Sequence, residues 1–158
     1  MKGLYISIFV LGSLLAQAQT NLYNKLNTFV NTQTKESLSG RLVAINLWSA
    51  NDKTSRDLNV EFEKAYQTYC NAKLKGGNKG IIVLNICLDS DPVNADIVLK
   101  KDAVNKAIKV PADNSEIVKE LNGKPAGYNV VFDENGKVVF ENLAVGDVFN
   151  SIHQLITR

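Results

Sequence analysis

Two apolar runs of strand length constrain the fold of this chain more than any other feature. The runs RLVAINLW (41–48) and GIIVLNICLD (80–89) are continuously hydrophobic rather than alternating, which is typical of strands covered on both faces. Between them, apolar residues recur at helical spacing, at Leu58, Phe62, Ala65, Tyr66 and Tyr69. A strand, a helix and a second strand in this order predict a right-handed unit with parallel strands.

The segment that follows these two strands predicts helix in two pieces. The pieces are expected around Val93–Ala107 and Ser115–Asn122. The break between them is expected near Val110-Pro111, because proline lacks the N–H that a continuing helix needs.

The last third of the chain predicts a hairpin and a helix. In YNVVFDENGKVVFENL (128–143), two β-rich runs are joined through Asn135-Gly136, a strong signal for an antiparallel hairpin. The C-terminal segment GDVFNSIHQLITR is amphipathic, with Asp147 as the expected N-cap.

These elements sum to the order β-α-β-α-β-β-α and predict one α/β domain, a three-layer sandwich with a mixed central sheet. With 158 residues, 45% of them hydrophobic, the chain can build a single core. The net charge of +2 gives no electrostatic reason to expect a nucleic-acid partner.

The N-terminus has the three parts of a secretory signal peptide. Lys2 precedes an apolar run from Leu4 to Leu15, and Ala16-Gln17-Ala18 is a small-x-small cleavage site. We therefore predict a signal peptide over residues 1–18, cleavage near Ala18, and export to the periplasm or the extracellular space.

The predicted mature chain has no lipid anchor and no membrane span. No cysteine follows the apolar run to take a lipid, and the run itself is too short to cross a bilayer comfortably. Residues 19–40 are read as an N-terminal arm with short helical spacing, and residues 41–158 as the folded domain.

The landmark residues of this pattern resemble the thioredoxin fold, most closely the exported TlpA-like thioredoxins. The segment LVAINLWSANDKTSR resembles that family's strand followed by Trp-Ala-x-x-Cys-x-x-Cys-Arg, with Trp48 on its tryptophan and Arg56 on its arginine. The segments LDSD (88–91) and VFDENGKVV (131–139) resemble the end of its second strand and its hairpin. The resemblance runs from about Ser39 to the C-terminus, and it implies a thioredoxin-like three-layer sandwich.

The same alignment indicates that this chain lacks the residues that carry out the family's known chemistry. The two redox cysteines fall on Asp52 and Ser55, so that the motif reads Asp52-Lys53-Thr54-Ser55. Thiol–disulfide exchange needs a thiolate to attack and a second thiol to resolve, and neither a carboxylate nor a hydroxyl can replace them. We expect Asp52 to be an N-cap or first-turn anion instead.

Other positions of the family's site are also altered or open. Its cis-proline falls either on Gly127 or, with a small insertion, on Pro125, and its buried acid falls on Asn46. The resemblance implies a partner-binding groove, with the lining residues Trp48, Asp52, Lys53, Arg56, Gly127 and Tyr128.

Two cysteines and one histidine remain to be placed. Cys70 and Cys87 could form a buried disulfide, or could be two small buried thiols. His153 has no second histidine and no Cys-x-x-Cys nearby, so we expect no metal site and no cofactor.

Three functions follow as expectations. The favoured one is a redox-inactive, exported module that binds a protein or peptide of the bacterial cell envelope. One alternative is an atypical thiol-disulfide oxidoreductase that uses Cys70 and Cys87. The other is a non-thiol enzyme that uses Asp52, Ser55 or Arg56.

Overall fold

The computed structural model describes residues 21–74, 80–111, 115–121 and 123–156. They form a five-stranded sheet in the order β3-β2-β1-β4-β5. The strands are β1 (Leu42–Trp48), β2 (Ile81–Cys87), β3 (Ile108–Val110), β4 (Asn129–Phe132) and β5 (Val138–Glu141). β1, β2 and β3 are parallel, whereas β4 is antiparallel to both β1 and β5. The sheet is therefore mixed, as predicted.

Helices cover both faces of the sheet, which confirms the predicted three-layer α/β sandwich. They are α1 (residues 21–34), α2 (Lys53–Tyr69), α3 (Pro92–Lys101), α4 (Ser115–Leu121) and α5 (Val148–Ile156). α2, α3 and α5 pack on one face, and α1 and α4 pack on the other. In the part of the chain that the structure describes, no helix is long and apolar enough to cross a membrane. The predicted signal peptide lies outside the described residues.

α1 is part of the core, although the sequence suggested a separate arm before residue 41. Leu22, Leu26 and Val30 lie one helical turn apart and are buried against β1, β2 and β4. Tyr23 lies over the hairpin turn, where a Cβ added to Gly136 would come within 2.9 Å of its ring. The domain therefore includes these residues, and a boundary after residue 40 does not divide two structural units.

The segment between β2 and α4 departs from its prediction. α3 ends at Lys101, not near Ala107, because the chain turns at Ala103, whose φ is +58°. The N–H of Val104 then donates to the carbonyl of Leu99 at 2.9 Å, which closes the helix. The residues that follow add β3 to the sheet beside β2, a strand that the sequence analysis missed.

The predicted hairpin and final helix are confirmed. Asp133 N–H donates to the carbonyl of Lys137 at 2.8 Å across the turn, and Gly136 takes the positive φ that the turn needs, +77°. Asp147 directly precedes α5, and its carbonyl accepts the first helical hydrogen bond, from Ser151 at 2.9 Å.

Candidate functional site at the β1–α2 junction

The junction between β1 and α2 places Asp52 at the N-cap of the helix. Its backbone is extended, with φ −102° and ψ 107°, and its Oδ1 accepts a 2.7 Å hydrogen bond from the N–H of Ser55. This bond is the main reason why the pKa of Asp52 lies below its usual range. Asp52 is therefore an ionised cap, and the predicted N-cap role is confirmed.

Ser55 is enclosed by the same turn. It is fully buried, its Oγ donates to the carbonyl of Asp52 at 3.0 Å, and that Oγ accepts from the N–H of Ser49 at 3.2 Å. Both roles of the hydroxyl are thus structural. His153 lies elsewhere, with its Nδ1 2.7 Å from the hydroxyl of Tyr69 at the last residue of α2. The arrangement gives Ser55 no histidine base.

Trp48, which the resemblance implied as a lining residue of a partner-binding groove, is almost completely buried. Only 1% of its surface is exposed. It packs in a small cluster with Ala50, Ala95, Leu99 and Val104, of which Ala95 and Leu99 belong to α3. The cause is tertiary: α3 lies over the end of β1 and covers the indole.

Arg56 forms an ion pair that holds α3 over Trp48, and it does not line a groove. Its Nε donates to Oδ2 of Asp102 at 2.7 Å, and its Nη2 donates to Oδ1 of the same carboxylate at 2.6 Å. The paired guanidinium lowers the pKa of Asp102, and the carboxylate raises the pKa of Arg56. This two-bond geometry joins the first turns of α2 to the end of α3.

Two other predicted groove residues make local contacts. Lys53, whose side chain is 84% exposed, pairs with Asp57 at 2.6 Å on the surface of α2. The Tyr128 hydroxyl donates to Oε1 of Glu141 at 2.8 Å, while its ring packs against the core on the α1 face. Burial and the neighbouring Glu141 carboxylate together raise the pKa of Tyr128 well above its usual range.

Gly127 lies beside the junction, between Leu47 of β1 and Leu58 of α2. Its N–H donates to the carbonyl of Leu47 at 2.7 Å, and a Cβ added to it would lie 4.0 Å from Leu58 on α2. Its φ of +89° is a conformation that favours glycine. Pro125 accepts the N–H of Tyr128 at 3.1 Å, and the described residues contain no cis peptide bond. The alternative in which Pro125 keeps a cis bond is therefore wrong.

The two cysteines do not form the disulfide that the sequence left open. Both are free thiols. Cys70 follows the end of α2, beside the start of β2 at Gly80, whereas Cys87 is the last residue of β2. A seven-residue strand spans about 20 Å, which is far beyond disulfide reach. Burial raises the pKa of the Cys87 thiol, so it is not an activated nucleophile.

A row of asparagines crosses the sheet behind the junction, and the sequence analysis did not identify it. Asn129 of β4 lies opposite Asn46 of β1, and Asn46 lies opposite Asn85 of β2. All three are buried. The available signal was one asparagine within each apolar strand, but its meaning depended on the strand register.

Two members of this row tie other elements to the sheet. Asn46 Nδ2 donates to the carbonyl of Ser55 at 2.9 Å and to Oδ1 of Asn59 at 2.7 Å, both on α2. Asn129 exchanges hydrogen bonds with the backbone of Leu143, accepting at 2.9 Å and donating at 3.0 Å. Asn46 thus holds α2 in place and carries no ionisable group.

Asp89, which lies two residues after β2, also stabilises the junction, and the sequence did not point to it. Its carboxylate accepts from the Ser49 hydroxyl at 2.8 Å and from the N–H of Ala50 at 2.6 Å. Within the described ranges, no three His, Cys, Asp or Glu side chains are grouped as a metal site requires.

Comparison with solved structures agrees with this architecture. The thioredoxin domain of a thiol-disulfide oxidoreductase from Bacteroides vulgatus is 15% identical, with a TM-score of 0.62 over 75% of this chain and 81% of that one. A thioredoxin-like protein from Parabacteroides distasonis is 18% identical, with a TM-score of 0.58 over 75% and 86%. A secreted disulfide oxidoreductase from Mycobacterium tuberculosis is 12% identical, with a TM-score of 0.60 over 75% and 84%.

No protein-family model matches the chain, and no curated protein matches it. The fold is nevertheless defined by the structural likeness together with the mixed sheet and its flanking helices. This chain has the thioredoxin-like fold. Asp52 and Ser55 occupy the turn that opens its first helix after β1.

Proposed function

We propose that this chain is an exported, redox-inactive thioredoxin-fold protein of the bacterial cell envelope, which binds a protein or peptide beside the N-terminus of α2. The observation that supports it most directly is the structural use of Asp52 and Ser55. The first caps the helix at 2.7 Å, and the second is fully buried and hydrogen bonded. No sulfur atom is available from either residue, so thiol exchange has no carrier there.

The remaining thiols do not supply an alternative pair. Cys70 and Cys87 belong to opposite ends of the sheet, so one cannot resolve a mixed disulfide formed on the other without unfolding. The non-thiol alternative is also disfavoured, because Arg56 is committed to Asp102 and Ser55 to backbone groups. Binding is the role that the junction can still perform.

We define the junction surface as Asp52, Lys53 and Gly127. Lys53 is the most exposed of the three, Asp52 presents an ionised carboxylate, and Gly127 lies against the first turns of α2 without a side chain. A protein or peptide segment with charges opposite to these, and with backbone that approaches Gly127 closely, would fit this surface.

The redox part of the proposal is tested by insulin reduction with dithiothreitol. Residues 19–158 should give no acceleration over the reagent alone. The matched variant Asp52→Cys/Ser55→Cys restores sulfur at the two aligned positions and should gain turnover, because the helix N-terminus stabilises a thiolate. Turnover by the unaltered chain that disappears in Cys70→Ala/Cys87→Ala would overturn the proposal.

The binding part is tested by photo-crosslinking in the envelope fraction of the source organism. A crosslinker at position 53 should capture one discrete partner, and a crosslinker at exposed Lys64 on the same helix should not. With the crosslinker at position 54, Lys53→Glu should reduce capture at least several-fold, while Lys64→Glu should leave it unchanged. Equal capture from positions 53 and 64 would contradict a partner at the junction surface.

The export part is tested by N-terminal sequencing of the protein from fractionated cells. The mature chain should begin near Gln19 and should leave the cytoplasm. Recovery of the intact chain from Met1 in the cytoplasmic fraction would contradict export while leaving the redox result unaffected.

A further inference from the structure

A cavity of about 460 Å³ lies between α3 and the carboxyl ends of β1, β2 and β3. Its walls are mainly apolar and include Trp48, Pro92, Ala95, Leu99, Val110 and Pro111. Ser90, Asp96 and Lys109 at its rim are exposed, so that the cavity opens to solvent. Sites for small molecules typically have volumes of roughly 300–1,000 Å³ and apolar walls with a few polar groups.

Two buried side chains bring unpaired polar atoms to this cavity. Asn85 is 1% exposed, and neither its Nδ2 nor its Oδ1 has a hydrogen-bond partner among the described residues. The Nε1 of Trp48 is likewise buried and unpaired within the described chain. A buried donor or acceptor without a partner costs roughly 1–3 kcal/mol, so three such atoms at one cavity need a reason.

The asparagine row makes Asn85 exceptional. Asn129 pairs both atoms of its amide with the backbone of the loop after β5, whereas Asn46 donates its Nδ2 to α2 and leaves its buried Oδ1 without a partner among the described residues. Asn85 occupies the same level of the sheet but faces the cavity under α3. Of the three, only Asn85 leaves both amide atoms unpaired among the described residues, and a ligand in the cavity would give them partners.

The positions of the unpaired atoms describe the ligand. Trp48 is opposite Cys87, which is two residues beyond Asn85 on the same face of β2. The two polar side chains are therefore separated by about 6.6 Å along the strand direction. A planar primary amide supplies a donor and an acceptor to Asn85, and its carbonyl has a second lone pair for the indole N–H.

The charges around the cavity disfavour an anionic ligand. Lys109 Nζ is 2.5 Å from Oδ1 of Asp96, so the rim cation is already paired. Asp89 is committed to Ser49 and Ala50. An anion would meet these two carboxylates with no free cation among the described lining residues.

We propose that this cavity binds a neutral aromatic carboxamide or lactam, whose amide pairs with Asn85 and whose ring lies against Ala95 and Leu99. The proposal goes beyond the proposed function and does not depend on it, because the cavity lies under α3 and not on the junction surface. Its failure would leave the insulin, crosslinking and export results untouched.

The experiment titrates ¹⁵N-labelled residues 19–158 with 2-naphthamide, 2-acetylnaphthalene and 2-naphthoate. The chain has one tryptophan, so the Trp48 indole N–H gives a single resonance. We expect 2-naphthamide to shift this resonance and the Asn85 side-chain resonances, and to bind about 10-fold more tightly than the ketone, which lacks N–H donors. The carboxylate should bind more weakly than the amide.

Three variants test whether the ligand binds in this cavity. Asn85→Leu removes unpaired polar atoms at similar volume, so it should fold and should reduce 2-naphthamide affinity to that of the ketone. Ala95→Phe fills the cavity from α3 and should abolish binding of both. Asn94→Leu, the same change at an exposed position of α3, should alter neither.

Several results would overturn the proposal. They are no 2-naphthamide binding to the unaltered chain at about 1 mM, equal affinity for amide and ketone, or undiminished amide binding by Asn85→Leu. If a variant fails to fold, the chemical-shift changes of the Asn85 side chain in the unaltered chain test the proposal instead.

Discussion

Arg56 and Asp102 form a two-bond ion pair that connects α2 to the end of α3, with N–O distances of 2.7 and 2.6 Å. Both side chains are mostly buried, at 26% and 15% exposure. The resemblance placed Arg56 in a binding groove, but the structure uses it to hold the helix that covers Trp48. Its two-bond geometry and partial burial should give this ion pair a measurable effect on stability.

A double-mutant cycle should measure this coupling. Arg56→Gln, Asp102→Asn and the double variant should give an interaction free energy of about 1–2 kcal/mol by urea unfolding, because the pair is bidentate and partly shielded from water. The control cycle is Lys53→Gln with Asp57→Asn, an exposed pair that should give less than about 0.5 kcal/mol. Equal coupling in the two cycles would show that burial adds nothing to the Arg56 pair.

The contribution of Asp102 should depend on pH in a defined direction. Arg56 lowers the pKa of Asp102 in the folded state. The stabilisation is therefore fully present above the unfolded carboxyl pKa of about 3.9 and is lost as the pH falls through the folded value. The stability difference between the unaltered chain and Asp102→Asn should be constant from about pH 8 to 5 and should shrink toward pH 2. A difference that persists at the acid end would contradict the assigned ionisation.

Removing the cap at Asp52 should destabilise α2. Asp52→Ala leaves the N–H of Ser55 without its acceptor and should cost about 0.5–2 kcal/mol in free energy of unfolding. Asp52→Asn keeps an acceptor oxygen and should retain most of the stability. If both substitutions cost the same, hydrogen bonding is not what Asp52 contributes, and its charge at the helix N-terminus is the remaining source.

The helix before β1 should prove essential to the fold. Leu26 is completely buried against the sheet, so Leu26→Ala should lower the unfolding free energy by about 2–5 kcal/mol. Thr28→Ala, at an exposed position of the same helix, should change it by less than about 0.5 kcal/mol. A small effect at Leu26 would mean that residues 21–34 are an appendage and not a part of the core.

The main elements were predictable because their signals are local. Continuous apolar runs gave β1 and β2, Asn135-Gly136 gave the hairpin, and the carboxylate before Lys53 gave the cap of α2. Each depends on chain preferences within a few residues. The order of these elements also led to the correct sandwich.

The errors have causes that the sequence does not display. β3 has only three residues, too few for a periodic pattern, and α3 ends at an alanine in place of a glycine. Trp48 is covered by residues about fifty positions later in the chain, and the asparagine row depends on strand register. The site depends on contacts between residues far apart in the sequence, whereas the helices and strands depend on the preferences of residues close together in the sequence.

Because α3 packs over Trp48, this end of the sheet is already occupied by the chain's own helix. Only residues 88–91 separate β2 from α3, so the helix competes for the indole at a local concentration in about the millimolar range or above. A rival protein present at micromolar levels would start at a disadvantage of about a thousandfold before making any contact. The tether alone can make that aromatic side chain inaccessible to passing macromolecules.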